Sequence, residues 1–408
     1  MKRICVIGAG PSGIFSLKAL QESSEKYDIV CYDSQKQIGG LWYWEGENYF
    51  TEEGHPVHSP MYEDLKLNGP KETIEFTDYQ FPSSIETSFP GRSVVLKYLE
   101  EYVEKFGLHK YINLNKRVDH VSFLKNDNIF KVVISDINTS TSFSKEFDYV
   151  IVCSGHYCKP YQPIYPGEDT FPGEIMHSKH FRSASRFVGL RMLIVGAALS
   201  AKDIVFLCKK NGAKSTTITS RKPINTNLPT GIIKKPIFTK IEGSKVFFED
   251  GTSDNFDAII YCTGYLHSLE FLEEELRFHS HDRLAIPLYL GTVFPENSNL
   301  FFVGMSSQIY TFTMFYHQAK LISCMLEGKF KIPSPREMKQ SIAEWQEKEK
   351  DLKGQEDYMH FQTAYLKDLI DITNSDERYL VLSHFLRLNE VRTKKFETYT
   401  EHKFEKVF

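Results

Sequence analysis

Two stretches of the chain share one rhythm of apolar runs and helix-spaced apolar positions. Residues 2–7, KRICVI, are a short apolar run that reads as a strand. GAGPSG follows, then IFSLKALQESSEKY, where Ile14, Leu17 and Leu20 recur at helical spacing. DIVCYD is a second strand, closed by Asp33 twenty residues after Gly13. The same order returns about 190 residues later, too far for a stacked repeat. RMLIVG (191–196) is a strand, AALSAKDIVFLCKKNG a helix ending at Gly212, and KSTTITSRK a strand. The chain thus predicts an α/β protein with two Rossmann-like dinucleotide-binding domains.

Two further segments rhyme. FDYVIVCSGHYCKP (147–160) and FDAIIYCTGY (256–265) both run Phe-Asp, apolar strand, Cys, Ser or Thr, Gly, then His or an aromatic. Each closes its own sheet and passes the chain to the other domain. The smaller domain, 160–268, is then an insertion in a larger one made of 1–159 and 269–408. FPGEIMHSKHF (171–181) has neither period and reads as a connector. The last hundred residues are helical: Ser334-Pro335-Arg336-Glu337 is a capping box with Pro at the first helical position. EMKQSIAEWQEKEKDL follows it, and AYLKDLIDIT is another amphipathic segment.

Composition narrows the classes. The 408 residues carry a net charge of −4, with 41% hydrophobic and 25% charged residues. That balance argues against nucleic acid or an anionic membrane as partner. No apolar run reaches the length of a membrane span, and the C-terminus is charged rather than an anchor. The seven cysteines form no CxxC pair, and five lie in or beside apolar runs. They read as buried reduced thiols, which predicts a soluble cytoplasmic protein. An extracellular place would follow only after removal of a leader. No metal set is predicted: His177 and His180 lack a partner at ligand spacing.

The glycines carry the candidate chemistry. In Gly8-x-Gly10-x-Ser12-Gly13, the first glycine permits a tight turn, the second lets a pyrophosphate approach, and the third lets helix pack on strand. The helix N-terminus offers free N–H groups to phosphate. Asp33 stands where an acid bonds a ribose hydroxyl. The second fingerprint, Gly196-Ala197-Ala198-Leu199-Ser200-Ala201, keeps only its first glycine. Its following strand ends in Arg221 and Lys222 rather than an acid, which suits the 2′-phosphate of NADP. FAD in the first domain and NADPH in the second is the economical assignment, with hydride transfer between them.

At this point the residues resemble a family. FPGEIMHSKHF fits the FxGxxxHxxx(Y/F) signature of flavin-containing monooxygenases, and CTGY (262–265), LNGPKE (67–72) and GGLW (39–42) match other family segments. HSPMYEDLKLNGPKE, FDYVIVCSGHY and GMSSQIYTFTMFYHQA look most like soluble bacterial trimethylamine-oxidising enzymes and the insect senecionine-type N-oxygenases. The resemblance implies N-oxygenation of a tertiary amine such as a pyrrolizidine alkaloid, or of a sulfide, with O2 and through a C4a-hydroperoxyflavin. It implies a place in alkaloid detoxification, and self-association as a dimer or higher oligomer. By the same carry-over, Asn68 is the catalytic amide, contacting NADP as well. Gln35, Gly40, Leu41, Trp42, His58, Val118 and Gln308 lie near FAD, while Thr263 and Gly264 join the NADP site. Trp42 and Val118 also fit plain core positions. The resemblance implies a domain hinge at FPGEIMHSKHF, with Gly173 in a tight turn. Leu199 departs from the aromatic that bacterial relatives often carry, which would leave room for a bulkier amine.

Three other readings stay open on the residues. A reductase would pass electrons to another acceptor. A Baeyer–Villiger enzyme would oxygenate ketones, though Phe181 stands where its relatives have Trp. An inactive flavin-binding protein would do neither.

Overall fold

The computed structural model describes residues 1–46, 57–76, 78–279, 285–375 and 381–406. Its two largest sheets have five parallel strands each. In the first, the strands lie in the order Leu300–Phe302, Tyr149–Val152, Lys2–Ile7, Tyr27–Tyr32, Ile112–Asn113. In the second, the order is Glu174–His177, Ala258–Tyr261, Arg191–Val195, Ser215–Ser220, Ile232–Pro236. The two sheets follow one plan. Each central strand runs into a glycine and then a helix, Pro11–Gln21 or Leu199–Lys210. The inner strands Lys2–Ile7, Tyr149–Val152, Arg191–Val195 and Ala258–Tyr261 are largely apolar and buried, as strands covered on both faces require.

The rhyming segments explain this likeness. Asp148 takes the backbone N–H of Arg3 at 2.7 Å and its guanidinium at 3.1 Å. Asp257 does the same for Arg191, at 2.8 Å and 2.7 Å. In both domains the Phe-Asp pair therefore fixes the register of the closing strand against the first strand. Both closing strands are preceded by a three-stranded antiparallel sheet. These are Lys116–Leu124, Ile129–Asp136, Thr141–Phe147 in the first domain and Phe238–Glu242, Lys245–Phe248, Ser253–Asn255 in the second.

The helices are shorter than the periodicity suggests. The first ends at Gln21, where Ser23 and Ser24 turn away to hydrogen-bond Glu327. The capping box at Ser334 and Glu337 forms and opens the helix Pro335–Lys350. Two more helices, Gln355–Thr373 and Val381–Lys394, finish the chain. Both fall within the last hundred residues, which the sequence predicts to be helical.

FPGEIMHSKHF is not a connector. Glu174–His177 is the edge strand of the second sheet, paired in parallel with Ala258–Tyr261. It takes the place that Leu300–Phe302 holds in the first sheet. Gly173 has no positive φ; a Cβ there would overlap the carbonyl oxygen of Asp257. Its glycine serves close approach of two strands, not a tight turn. The crossing between the sheets is instead a two-stranded ribbon, with Tyr265 opposite Pro160 and Leu266 opposite Lys159.

Candidate functional site

The first fingerprint builds a narrow cradle. Gly8 has φ +108°, and a Cβ there would lie 2.6 Å from the carbonyl oxygen of Cys153. A Cβ on Gly13 would overlap the oxygen of Gly8 itself. Gly10 is different: its φ of −73° suits any residue, and its nearest neighbour is Gly40 Cα at 3.4 Å from a built Cβ. Its bareness is not demanded by the protein's own packing, so the vacant face is the part of the turn a ligand can use. Helix Pro11–Gln21 has no side-chain cap, which leaves its first-turn N–H groups for an anion.

Around this turn the structure gathers most of the residues expected at FAD. Asp33 is buried and takes the N–H of Ala9 at 2.6 Å and of Gln35 at 2.7 Å. Burial raises its pKa, and those two hydrogen bonds oppose the rise. Gly39 donates to Ala9 O at 3.0 Å, bringing Gly40, Leu41 and Trp42 alongside. The Trp42 ring meets Phe312 edge-on at 6.5 Å. Lys116 donates to Asp33 O at 2.8 Å and Asn115 to Gln35 O at 3.0 Å, so the strand bearing Val118 starts beside the acid. Ser12 spends its hydroxyl on Cys153 O at 3.3 Å.

The carboxyl end of Tyr149–Val152 supplies residues that the sequence reading used only as a closing motif. Ser154 Oγ and His156 Nε2 are buried and have no protein partner, and neither has Gln308 Oε1. His156 Nδ1 instead pairs with Gly304 O at 3.0 Å. In doubly wound sheets a ligand binds at this end of the strands. Unpartnered buried polar atoms there, with an uncapped helix and a bare glycine, fit a flavin dinucleotide.

The second cradle repeats the first with less room. Gly196 has φ +139°, and a Cβ would overlap Cys262 O. Ala198 caps the helix Leu199–Lys210 with no side-chain bond, and Ala198 and Ser200 are exposed. Leu199 packs partly buried against the first domain's core. Arg221 and Lys222 are exposed at the end of strand Ser215–Ser220, open to an anion. Thr263 bonds Tyr161 O, and Gly264 O takes the Tyr161 N–H at 2.9 Å, so both sit at the crossing ribbon.

Asn68 lies on a segment held by the C-terminal helix. Its side chain is exposed, and its carbonyl oxygen accepts from Arg392. Six residues earlier, Tyr62 donates to Asp203 Oδ2 at 2.6 Å, tying the Asn68 segment to the second domain's cofactor helix. Phe385 closes over the same segment; its ring carbons would be 3.1 Å from a Cβ on Gly69. Neither Phe385 nor Arg392 carries a local signal. His58 lies 3.7 Å from Cys158 Sγ, beside the ribbon.

Burial pushes the pKa of His58, His156 and His177 down to about 4 each. A histidine kept neutral in the fold is more readily protonated once the chain unfolds. Its contribution is full above the unfolded value of about 6.5 and is lost as pH falls toward the folded one. Stability is expected to fall between about pH 6.5 and about pH 4, by up to about 1.4 kcal/mol per pH unit per histidine. Raised values at buried Asp33 and Asp203 act in the opposite sense. The informative comparison is therefore His177→Asn, which keeps an acceptor for Lys179 N–H. Calorimetry should show a shallower acid slope; an unchanged slope would refute the assignment.

Comparison with known proteins places this geometry. A family profile described as FMO-like, flavin-binding monooxygenase-like, matches residues 1–223 and 212–386. The trimethylamine monooxygenase of Methylocella silvestris is 38% identical over 383 residues, 92% of this chain and 85% of its own. The crystal structure of Tmm from Pelagibacter sp. strain HTCC7211 aligns with TM-score 0.94 at 35% identity, covering 99% of this chain and 94% of its own. Senecionine N-oxygenase of Tyria jacobaeae is 28% identical over 82% of this chain and 74% of its own. This chain therefore belongs to the flavin-binding monooxygenase-like family and is a monooxygenase that uses FAD and NADPH.

Proposed function

We propose that this enzyme N-oxygenates a tertiary amine, with bulky alkaloids of the pyrrolizidine type among its substrates, and S-oxygenates soft sulfides. One observation carries the amine assignment: similarity to trimethylamine monooxygenases extends over nearly the whole chain. The overall reaction takes tertiary amine, O2, NADPH and a proton to the amine N-oxide, NADP+ and water. Residues 1–159 with 269–408 hold FAD, and 160–268 hold NADPH.

Bound FAD and NADPH supply the redox chemistry and the reactive oxygen. The chain's own residues bind, orient and enclose. Gly10 and Gly40 admit the pyrophosphate to the uncapped helix, and Asp33 holds the adenosine ribose. Gln35, Leu41, Trp42, His58, Val118 and Gln308 complete the flavin's surroundings. Gly196, Ala198, Leu199, Ser200, Thr263 and Gly264 line the second cradle, where Arg221 and Lys222 take the 2′-phosphate. Asn68 presents an amide that both donates and accepts without titrating. The amine's lone pair is itself the nucleophile, so no side chain has to act as base on it. Burial of His58 and His156 in their neutral forms keeps stray acids from the site.

The test is product analysis under labelled oxygen. Trimethylamine and a pyrrolizidine alkaloid are each supplied with NADPH and heavy O2. One labelled oxygen atom in each N-oxide, formed stoichiometrically with NADPH oxidised, is the expected result. NADPH oxidation that requires an added electron acceptor and gives no N-oxide would overturn it in favour of a reductase. Leu199→Tyr should lower alkaloid turnover relative to trimethylamine by about tenfold, the scale of a pocket volume change. An unchanged ratio would show that Leu199 does not set substrate size.

A further inference from the structure

Arg392 is 7% exposed, near the end of helix Val381–Lys394 and 324 residues from Asn68. Burying a guanidinium is costly unless hydrogen bonds and opposite charge offset it. Its contacts are few and specific. It donates to Asn68 O, lies over the Tyr399 ring at 4.6 Å and hydrogen-bonds that tyrosine's hydroxyl, and feels the charge of Asp203. Among the described residues no carboxylate forms a direct ion pair with it. Asp203 is engaged by Tyr62 instead. The end of the same helix is docked on the second domain: Asn227 donates to Thr393 O at 3.1 Å, and Phe396 to Asn227 O at 3.4 Å. One buried cation thus touches the Asn68 backbone while its helix is held by the domain that carries the nicotinamide cofactor.

We infer that Arg392 is a positioning residue that holds Asn68 in place relative to the second domain's cofactor helix. The inference rests on Asn68 acting in the site as proposed above. A backbone carbonyl anchored by a buried guanidinium fixes the segment from Leu67 to Gly69 while leaving the Asn68 amide free. Stability alone explains the residue poorly, since a methionine of similar length would fill the space without the desolvation cost. Misplacement of a reactive-site group by about 1 Å can cost up to about a hundredfold. The effect should appear in coupling, the fraction of NADPH that ends in N-oxide rather than in hydrogen peroxide.

The experiment is a double-mutant cycle on the FAD-loaded enzyme with trimethylamine, using Arg392→Met, Asn68→Ala and the pair. Coupling is the readout; FAD content and the NADPH-driven flavin reduction rate are controls. Arg392→Met is expected to lower coupling about tenfold, with both controls within about twofold of wild type. The pair should then couple no worse than Asn68→Ala alone. If Arg392→Met couples normally while Asn68→Ala does not, the inference fails and the Asn68 assignment stands. If Asn68→Ala couples normally, the Asn68 assignment fails and the inference falls with it. If the losses multiply, Arg392 acts independently of Asn68 and the inference is overturned. Should Arg392→Met not fold, Arg392→Lys answers the same question. It keeps the charge but loses the planar fork, and is expected to couple between wild type and Asn68→Ala; normal coupling in it would overturn the inference.

Discussion

Gly10→Ala is expected to give a folded protein that purifies without its yellow colour. The backbone at Gly10 has an ordinary negative φ, and a Cβ meets nothing closer than Gly40 Cα at 3.4 Å. The apo fold therefore tolerates alanine. The same methyl occupies the face that a pyrophosphate must approach. FAD affinity should fall at least about a hundredfold, the equivalent of about 3 kcal/mol. Gly13→Ala provides the contrast, because its methyl would overlap Gly8 O and drive the helix off the strand. That variant should fail to fold or aggregate, whatever the FAD supply. Titration with FAD separates the two. A Gly10→Ala protein that binds FAD as wild type does would show that the pyrophosphate takes another route.

The second large effect concerns the choice of nicotinamide cofactor. Arg221 and Lys222 are exposed at the end of strand Ser215–Ser220. Replacing Arg221 by alanine removes a charge-assisted contact, worth about 1.5–3 kcal/mol to a phosphate. KM for NADPH should rise between about tenfold and about a hundredfold, while KM for NADH changes by less than about twofold. The preference, not the overall rate, is diagnostic. Equal losses with both cofactors would mean that Arg221 supports the domain rather than reads the phosphate. Lys222→Ala should shift the preference in the same direction by a smaller amount, because an ammonium binds phosphate through a single point of contact.

The electrostatics differ between the two cradles for a physical reason. Asp33 is enclosed, and its two oxygens are already held by the N–H groups of Ala9 and Gln35. It is therefore fixed before any ribose arrives. Arg221 and Lys222 have no such framework and remain in solvent. A cofactor that stays bound suits the first arrangement, and one that arrives from solution suits the second.

Much of the architecture could be read along the chain because it is local. Both strand–glycine–helix–strand units depend on apolar periodicity and on glycines within about twenty residues of each other. The repeated Phe-Asp-strand-Cys segments announced the two closing strands, and the structure adds why: Asp148 and Asp257 each clamp the arginine that opens the first strand. The capping box at Ser334 also formed as its residues predict. FPGEIMHSKHF misled, because a four-residue edge strand has too few positions to show a period, and its pairing partner lies more than eighty residues on. Gly173 likewise owes its identity to Asp257, which no local pattern reveals.

The sequence by itself determined two glycine turns that open helices, with an acid after the first and two cations after the second, since each depends on residues close in the chain. Tertiary structure alone decided the long-range contacts around Asn68. Tyr62 meets Asp203 across 141 positions, and Arg392 meets Asn68 across 324. Those contacts depend on how separate domains and a terminal helix pack together, and neither periodicity nor spacing carries information over such distances.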